Sequence, residues 1–338
     1  MKNKIQNNIQ CHSTHLPLVS IGIPTFNRPE LLRQALESAR SQTYPNLEIL
    51  VSDNESTDAQ TSKILAEASA IDFRIKTYRQ KKNIGATANF EFLLRSATGE
   101  FFTWVADDDV LHPTCIELLV AAHTQNPSLA CVFSDVTIID ITGNSLGIKK
   151  HAAFRHSPYK SRAENIRASF FSAPQCQATY GLFRTSIALQ CPFEKTTYKN
   201  MIGGAEYTFL ARLASLGNVI AVPHALRSYR QHVDCAHITY HRYHSFLDKL
   251  IRFFEYLFRV TSIAIRADSS VRLRFLFTMH SLFSALLLIA SLSLKAILRL
   301  LQTFPAGIYD YKFYRNALLI NRRASELAGR QLSPKPTL

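Results

Sequence analysis

Short apolar runs and amphipathic stretches alternate along the first 133 residues of the chain. The apolar runs predict buried strands at 18–23, 47–51, 75–78, 101–105 and 130–133. Apolar residues recurring every three or four positions predict helices after Asn27 and over 61–70, 85–97 and 113–123. We expect Pro24 to end the first strand and Asn27 to cap the first helix, with Pro29 in its first turn. This alternation predicts an α/β fold with a mainly parallel sheet covered on both faces.

The pattern is more mixed beyond residue 133. Gly143 and Asn144 predict a turn, and the apolar ranges 180–183 and 219–222 predict two further strands. The range 205–216 predicts a helix that Gly217 ends. The residues at 229–232 are a polar segment after the last strand, for which an exposed strand end is the simplest interpretation.

Polar clusters follow three of the predicted strands. Thr25 and Asn27 come after the first strand, Asp53 after the second, and three consecutive aspartates at 107–109 after the fourth. Ligands of parallel α/β sheets bind at the carboxyl ends of the strands. Adjacent carboxylates repel one another and attract a cation such as Mg²⁺ or Mn²⁺. The alternatives are a solvated acidic turn at 107–109 and an ordinary turn around Asp53.

The composition excludes a disordered or fibrous protein, because 47% of the 338 residues are hydrophobic and 19% are charged. The net charge of +14 is concentrated at the end of the chain, where residues 241–338 carry 15 Lys and Arg against 5 Asp and Glu. Such asymmetry indicates an anionic partner, either a membrane surface or a nucleic acid. The six cysteines form no C-x-x-C pair, so we expect reduced thiols and no zinc site.

The basic C-terminal region is also apolar. Residues 246–259 combine apolar residues at helical spacing with interspersed Lys and Arg, a pattern typical of an interfacial helix. Residues 275–294 contain no Asp, Glu, Lys or Arg and approach the length of a membrane span. We expect contact with a membrane surface. A true span and a helical hairpin packed on the rest of the protein are the alternatives. Apolar runs between the cations and the lack of a binding motif argue against a nucleic acid.

Four segments occur in order along the chain. They are Val19-Ser-Ile-Gly-Ile-Pro-Thr-Phe-Asn-Arg28, Val51-Ser-Asp-Asn-Glu-Ser-Thr-Asp58, Asn83-Ile-Gly85 with Asn89, and Trp104-Val-Ala-Asp-Asp-Asp109. Together they resemble a family 2 glycosyltransferase with a GT-A fold, over about residues 17–232. The resemblance implies an inverting transferase that uses a nucleoside-diphosphate sugar, with a UDP-sugar as the expected donor. It also implies Mn²⁺ or Mg²⁺ as the cofactor and a glycan or lipid-linked acceptor.

The resemblance also implies site residues. The nucleotide-sugar contacts fall on Pro24, Thr25, Asn27, Asp53, Asn83, Gly85, Asp107 and Arg230. The metal position falls on Asp108, with Asp109 and His232 beside it, because Ala106 replaces the first aspartate of the family pattern. Glu206 falls on the position of the catalytic base, and Ala205 replaces the acidic residue before it. The simpler interpretation of Glu206 is a first-turn glutamate that the helix dipole favours.

These inferences combine into one expected protein. Residues 1–16 are polar, contain no apolar signal-peptide core and are expected to form a flexible arm. Residues 17–238 would form the GT-A catalytic domain, and 239–338 a helical, membrane-associating region. We expect a cytoplasmic protein, peripherally bound to the inner face of the membrane, in cell-surface polysaccharide synthesis. The alternatives are an inactive glycan- or nucleotide-binding relative, suggested by Ala106 and Ala205, and a basic nucleic-acid-binding protein.

Overall fold

The computed structural model describes residues 16–151, 154, 166, 174–194, 205–232 and 246–267. The strands are β1 (Val19–Thr25), β2 (Leu47–Asp53), β3 (Ile75–Arg79), β4 (Phe101–Trp104), β5 (Val110–Leu111), β6 (Leu129–Ile139), β7 (Ser145–Lys149), β8 (Leu182–Arg184) and β9 (Asn218–Arg230). The α-helices are α1 (Pro29–Arg40), α2 (Ala59–Ile71), α3 (Ala86–Ser96), α4 (Cys115–Gln125), α5 (Thr185–Ala188), α6 (Ala205–Leu216) and α7 (Phe246–Ala267). A 3₁₀ helix, Pro174–Tyr180, precedes β8.

The strands form a nine-stranded sheet in the order β3-β2-β1-β4-β8-β6-β9-β5, with β7 paired to β6. Strands β1 to β4 are parallel, as expected from their βα connections. The other half is mixed, because β8 runs antiparallel to both of its neighbours, β4 and β6. Strand β5 is also antiparallel to β9. The expectation of a mainly parallel sheet is therefore correct for the first half only, because the apolar run at 180–183 carries no information on strand direction.

Both faces of the sheet are covered by an apolar core. Ile21 and Ile23 of β1 pack on the face that holds Leu32 of α1. The opposite face carries a cluster of aromatic rings that includes Phe102. Gly22 of β1 points toward this second face, and a Cβ atom there would lie 2.7 Å from Phe102 Cζ. The glycine therefore permits a close approach that positions β1 against β4.

The predicted helices 61–70, 85–97 and 113–123 are confirmed to within two residues, whereas β1, β2, β3, β6 and β9 extend beyond their predicted ends. Strand β1 continues through Pro24 to Thr25. Its pairing with β4 ends at Gly22, so the missing N–H of Pro24 breaks no ladder hydrogen bond. Strands β6 and β9 extend to Ile139 and Arg230 because they pair with each other over their whole length. Strand β9 thus carries Arg230 into the interior of the protein.

Helix α7 confirms that residues 246–259 are helical. Tyr256, Val260 and Ala264 recur every four residues and are buried. The ring of Tyr256 lies 5.9 Å from that of Tyr207 in α6, so this face of α7 packs on α6. Phe258 is 70% exposed. Among the described residues, no helix has the length and apolar character needed to cross a membrane; the range 275–294 lies outside them.

Candidate active site

The acidic residues 107–109 lie between β4 and β5, next to the loop that follows β1. Asp107, Asp108 and Asp109 are only 6%, 8% and 1% exposed, so they do not form a solvated turn. The hydroxyl of Thr25 donates to Asp107 Oδ2 at 2.9 Å, and the N–H of Phe26 approaches the same oxygen at 3.4 Å. The loop after β1 and the acidic residues therefore meet at the carboxyl ends of the strands, as the sequence predicts.

Arg28 bridges two of these carboxylates. Its Nη1 atom lies 3.1 Å from Asp107 Oδ1 and 2.7 Å from Asp108 Oδ2. Burial and the neighbouring charge of Asp108 raise the pKa of Asp107, while Arg28 and Thr25 act in the opposite direction. Two nearly buried carboxylates are thus held together by one guanidinium group, which neutralises part of their charge.

His232, which lies two residues after β9, contacts the same group of carboxylates. Its Nε2 atom lies 3.0 Å from Asp108 Oδ2, and its side chain is 8% exposed. Burial acts to raise the pKa of Asp108, but the hydrogen bond with His232 and the charges of Arg28 and His232 outweigh it. The pKa of Asp108 consequently lies below its usual value, and the carboxylate is ionised. The structure therefore brings the predicted metal residues Asp108 and His232 together.

Asp109 faces the interior. Its Oδ1 atom accepts a hydrogen bond of 3.1 Å from the backbone N–H of Arg230. Its Oδ2 atom has no hydrogen-bond partner among the described residues, and Arg227 Nη1 lies 3.7 Å away. Burial raises the pKa of Asp109, and the nearby charge of Arg227 opposes that rise. This position does not support the predicted role of Asp109 as a metal ligand.

The donor set at Asp108 suits a hard or borderline divalent cation. Carboxylate oxygens are ligands that suit Mg²⁺ and Mn²⁺. Within the described ranges, no three His, Cys, Asp or Glu side chains converge closely enough to hold a metal ion. Asp107 and Asp108 nevertheless share one cationic group, Arg28 Nη1, so both carboxylates can face the same positive charge. Asp107, Asp108 and His232 thus supply metal-binding atoms around one carboxylate, but their arrangement is not that of a formed metal site.

Arg230 has a different position from the one predicted. Its guanidinium group is 2% exposed and donates to the backbone oxygens of Asp108, Asp140 and Ile141. A further hydrogen bond of 2.7 Å reaches Gln34 Oε1 in α1. Because these protein oxygens occupy its donors, Arg230 joins α1 to the acidic segment and does not point toward a phosphate. The interpretation of 229–232 as an exposed strand end is wrong.

Asp53 lies fully buried at the carboxyl end of β2. Its Oδ1 atom accepts a hydrogen bond of 2.8 Å from the N–H of Ser56, and its Oδ2 atom one of 2.8 Å from Arg79 Nη1. Arg79 also donates to the backbone oxygen of Ser56 and to Ser62. The carboxylate therefore stabilises the loop after β2 through hydrogen bonds to Ser56 and Arg79. Its contact with a nucleotide base stays a prediction.

Asn27 is not the cap of α1. Its backbone has φ of 53°, and its side-chain oxygen accepts a hydrogen bond of 2.8 Å from the N–H of Thr57. Its own N–H donates to Ser56 Oγ at 2.8 Å. The residue at the cap position is Arg28, which makes no capping hydrogen bond with its side chain. Asn27 instead joins the loop after β1 to the loop after β2 by hydrogen bonds. Pro24 and Thr25 are the last two residues of β1, directly before this loop.

Asn83 and Gly85 form the third part of this surface. Asn83 Oδ1 accepts hydrogen bonds from the N–H of Gly85 at 2.9 Å and from Asn54 Nδ2 at 3.0 Å. Gly85 begins α3 with φ of 83°, which favours glycine. The N–H of Asn83 donates to Glu55 at 2.7 Å. The segments predicted to contact the nucleotide sugar are therefore adjacent and hydrogen-bonded to one another.

Glu206 lies in the first turn of α6. Its Oε2 atom is buried and has no hydrogen-bond partner in the part of the chain that the structure describes. Burial raises the pKa of Tyr180, and the negative charges of Asp109, Asp108 and Glu206 raise it further. The charges of the acidic residues and of the predicted base thus act on the same phenol group. The role of Glu206 as the catalytic base stays a prediction.

Arg227 and Tyr180 were not identified from the sequence as residues of the candidate site. Arg227 is 4% exposed, stacks on the ring of Tyr180 at 4.3 Å and bonds to Gln177. Tyr180 was assigned only to a strand. The predicted strand 219–222 stops before Arg227, so its burial in the longer strand β9 could not be predicted from the pattern. Arg28 belonged to a quoted motif, but its contact with Asp107 and Asp108 depends on folding.

The comparisons with known proteins agree with this architecture. A family model described as glycosyl transferase family 2 matches residues 20–190. A curated relative from Campylobacter jejuni, GalNAc(5)-diNAcBac-PP-undecaprenol beta-1,3-glucosyltransferase, is 30% identical over 186 residues, which cover 55% of this chain and 57% of that protein. The matched segments span 19%, 18% and 31% of the length of the first curated relatives.

Solved structures share the fold. TarS of S. aureus (1–349), in complex with UDP-GlcNAc, superposes with a TM-score of 0.54 at 18% identity, over 74% of this chain and 67% of that chain. The mannosyltransferase PcManGT from Pyrobaculum calidifontis, in complex with GDP-Man and Mn²⁺, gives 0.51 at 17% identity, over 96% and 89%. The α/β architecture is thus of the GT-A type, and the chain belongs to glycosyl transferase family 2.

Proposed function

We propose that the chain is a metal-dependent, inverting glycosyltransferase. It would move a sugar from a nucleoside-diphosphate sugar to a glycan or lipid-linked acceptor in cell-surface polysaccharide synthesis. The observation that carries the proposal is the meeting of the loop after β1 with the acidic residues, where Asp107 and Asp108 share the charge of Arg28. The buried Oε2 atom of Glu206, which has no hydrogen-bond partner among the described residues, supplies the candidate base.

The donor would bind over the loops that follow β1 and β2 and the segment before α3. These segments carry Thr25, Asn27, Asn83 and Gly85 and are hydrogen-bonded into one surface. The structural neighbours bind UDP, UDP-GlcNAc and GDP-Man, which supports a nucleotide sugar as the donor class. UDP is our expected nucleotide.

Mn²⁺ or Mg²⁺ would be held by Asp108, with Asp107 and His232 beside it. A divalent cation bound there supplies positive charge that stabilises the departing diphosphate. The Mn²⁺ in the neighbouring mannosyltransferase supports this choice of metal. The protein's own contribution is to keep Asp108 ionised, which the contacts with Arg28 and His232 achieve.

Glu206 would act as the general base. It accepts the proton of the acceptor hydroxyl, whose oxygen then attacks the anomeric carbon from the face opposite the leaving diphosphate. The unpaired Oε2 atom is available for this proton, since no described residue donates a hydrogen bond to it. Glu206 lies in the first turn of α6, next to the positive end of the helix dipole.

A lipid-linked acceptor would place the enzyme at the inner face of the cell membrane. The relative from Campylobacter jejuni is named for an acceptor on PP-undecaprenol, which supports this class. The basic charge of residues 241–338 and the exposed Phe258 of α7 supply the kind of surface that binds anionic lipid. We therefore propose a cytoplasmic protein that associates peripherally with this membrane.

The test is transfer by the purified full-length chain from a panel of UDP- and GDP-sugars, with Mn²⁺ and with acceptors that are soluble or lipid-linked. Mass spectrometry should detect a product larger than the acceptor by one sugar, and NMR should show the inverted anomeric configuration. The matched control is Glu206→Gln, which keeps the shape of the site. Transfer that is equally fast in this variant, or no donor binding by the wild type, would contradict the proposal.

A further inference from the structure

Arg28 covers the acidic pair from the solvent side. Its side chain is 29% exposed, whereas those of Asp107 and Asp108 are 9% and 11% exposed. One nitrogen atom, Nη1, makes both ion pairs. The residue precedes Pro29 at the start of α1, directly after the exposed loop residues Phe26 and Asn27. A single long side chain at an exposed helix end thus supplies the positive charge that the pair contacts.

The ion pair between Arg28 and Asp108 involves the carboxylate oxygen that would also bind a metal ion. Asp108 Oδ2 is 2.7 Å from Arg28 Nη1 and 3.0 Å from His232 Nε2. A carboxylate oxygen offers about two lone-pair directions, so these two nitrogen atoms already occupy it. If Asp108 binds a divalent cation, as the proposed function holds, Arg28 must leave Asp108 Oδ2. Arg28 and the cation therefore compete for one atom.

We propose that Arg28 is an exchangeable counter-ion. It holds Asp107 and Asp108 together in the donor-free protein, and it turns to the diphosphate of the donor when a divalent cation replaces it. The inference rests on the proposed function and adds a binding residue to it.

Two physical arguments support the second position of Arg28. A guanidinium group matches the oxygens of a phosphate with two parallel donors, which suits a diphosphate better than a lone carboxylate oxygen. The amino-terminal end of α1 also presents positive dipole charge to an anion. Arg28 and the end of α1 would then contact the same anionic ligand, and the charge on the acidic pair would stay compensated throughout.

The exchange predicts two effects of opposite sign in Arg28→Gln. Without Arg28, Mn²⁺ alone should bind about tenfold more tightly, as expected when a competitor leaves the site free about one time in ten. UDP in the presence of saturating Mn²⁺ should bind about tenfold more weakly, because a charged phosphate contact is lost. Isothermal titration calorimetry measures both constants, and electron paramagnetic resonance of free Mn²⁺ checks the first.

Arg33→Gln is the matched control, because it removes the same charge from the exposed side of α1, where Arg33 lies 3.9 Å from Glu67. It should leave both constants unchanged. Arg28→Lys keeps the charge and should give smaller shifts in the same directions, and circular dichroism verifies folding. If both constants worsen or neither changes in Arg28→Gln, the exchange is wrong. If the wild type binds no Mn²⁺ even with UDP, the metal in the proposed function is wrong as well.

Discussion

The two sides of the candidate site differ in how their polar groups are satisfied. On the donor side, formed by the loops after β1 and β2 and the segment before α3, hydrogen bonds join neighbouring segments. Ser52 and Asn89 exchange two of them, at 2.6 and 2.9 Å, and Asn54 bonds to both Asn83 and Ile84. This side therefore reaches its shape through contacts within the protein.

The other side, comprising Tyr180, Arg227, Asp109 and Glu206, contains buried polar atoms that have no hydrogen-bond partner among the described residues. They are Asp109 Oδ2, Arg227 Nη1, Glu206 Oε2, Thr179 Oγ1 and both amide atoms of Gln231. Buried polar atoms in this state cost stability and concentrate where function requires them. Under the proposed function, the side that binds the donor is thus preformed, and the side that holds Glu206 keeps polar atoms that a substrate could contact. Substitutions on the donor side should consequently lower stability, whereas substitutions on the side of Glu206 should lower turnover.

The largest expected effect is that of Glu206→Gln on catalysis. The amide keeps the shape of the side chain but cannot accept the proton, so turnover should fall by about 10²–10⁴-fold, the range of general base catalysis. UDP affinity should be unchanged. The melting temperature should not fall, because the variant replaces a buried, unpaired carboxylate oxygen. Steady-state kinetics, calorimetry and thermal unfolding measure the three quantities.

Glu194→Gln separates a catalytic carboxylate from a structural one. Glu194 pairs with Arg212 of α6 and with Arg259 of α7, at 2.7 Å in the second case. Its loss should lower the melting temperature while leaving turnover largely intact. If Glu206→Gln lowers stability and UDP binding but retains turnover at saturation, Glu206 belongs to the structural class, and the comparison between the two sides fails.

The second effect concerns two adjacent aspartates. Asp108→Asn should lower turnover by about 10²–10³-fold, the cost of losing one group that stabilises developing charge. It should also weaken Mn²⁺ binding. Asp109→Asn is the control, because Asp109 faces Arg227 in the interior and should change stability more than metal binding. Mn²⁺ titrations of transfer rates distinguish the two. If both variants lose metal binding equally, Asp109 is a metal ligand, as the sequence predicts.

The third effect tests the donor side. Asp53→Asn weakens the pair with Arg79 and should lower the free energy of unfolding by about 1–3 kcal/mol, as for a hydrogen bond to a charged group. Arg79→Gln should cost a similar amount, and the double variant should cost less than the sum because both remove one contact. Urea unfolding monitored by circular dichroism gives these values. Full additivity would show that Asp53 stabilises the loop without Arg79.

Much of the donor side could be predicted from the sequence, because its motifs are short and lie at the ends of strands with clear periodicity. Thr25 and Asp107 were assigned to one site and do bond to each other. The position of Arg230 could not be predicted in this way. Its hydrogen-bond acceptors come from segments around residues 34, 108 and 140, which only the folded chain brings together. A charged residue next to a polar segment is typically exposed.

The smallest expected effect concerns binding to the membrane by α7. This helix adjoins the side of Glu206, because its Tyr256 packs on α6. Phe258 is 70% exposed, and placing its ring in the headgroup region would bury apolar area. Phe258→Asp should therefore weaken binding to anionic vesicles by about threefold to tenfold, part of the transfer energy of one aromatic side chain. Vesicle sedimentation of the full-length chain measures it.

The control for this prediction is Phe73→Asp. Phe73 is 94% exposed and follows α2, at the edge of the sheet next to β3, so it offers a larger apolar surface at a site that we do not assign to the membrane. Raising the salt concentration should reduce binding of the wild type only in part, because apolar burial is not screened. If Phe73→Asp weakens sedimentation as much as Phe258→Asp does, the membrane faces the donor edge of the sheet. Helix α7 would then serve only to hold α6 and its Glu206 in place.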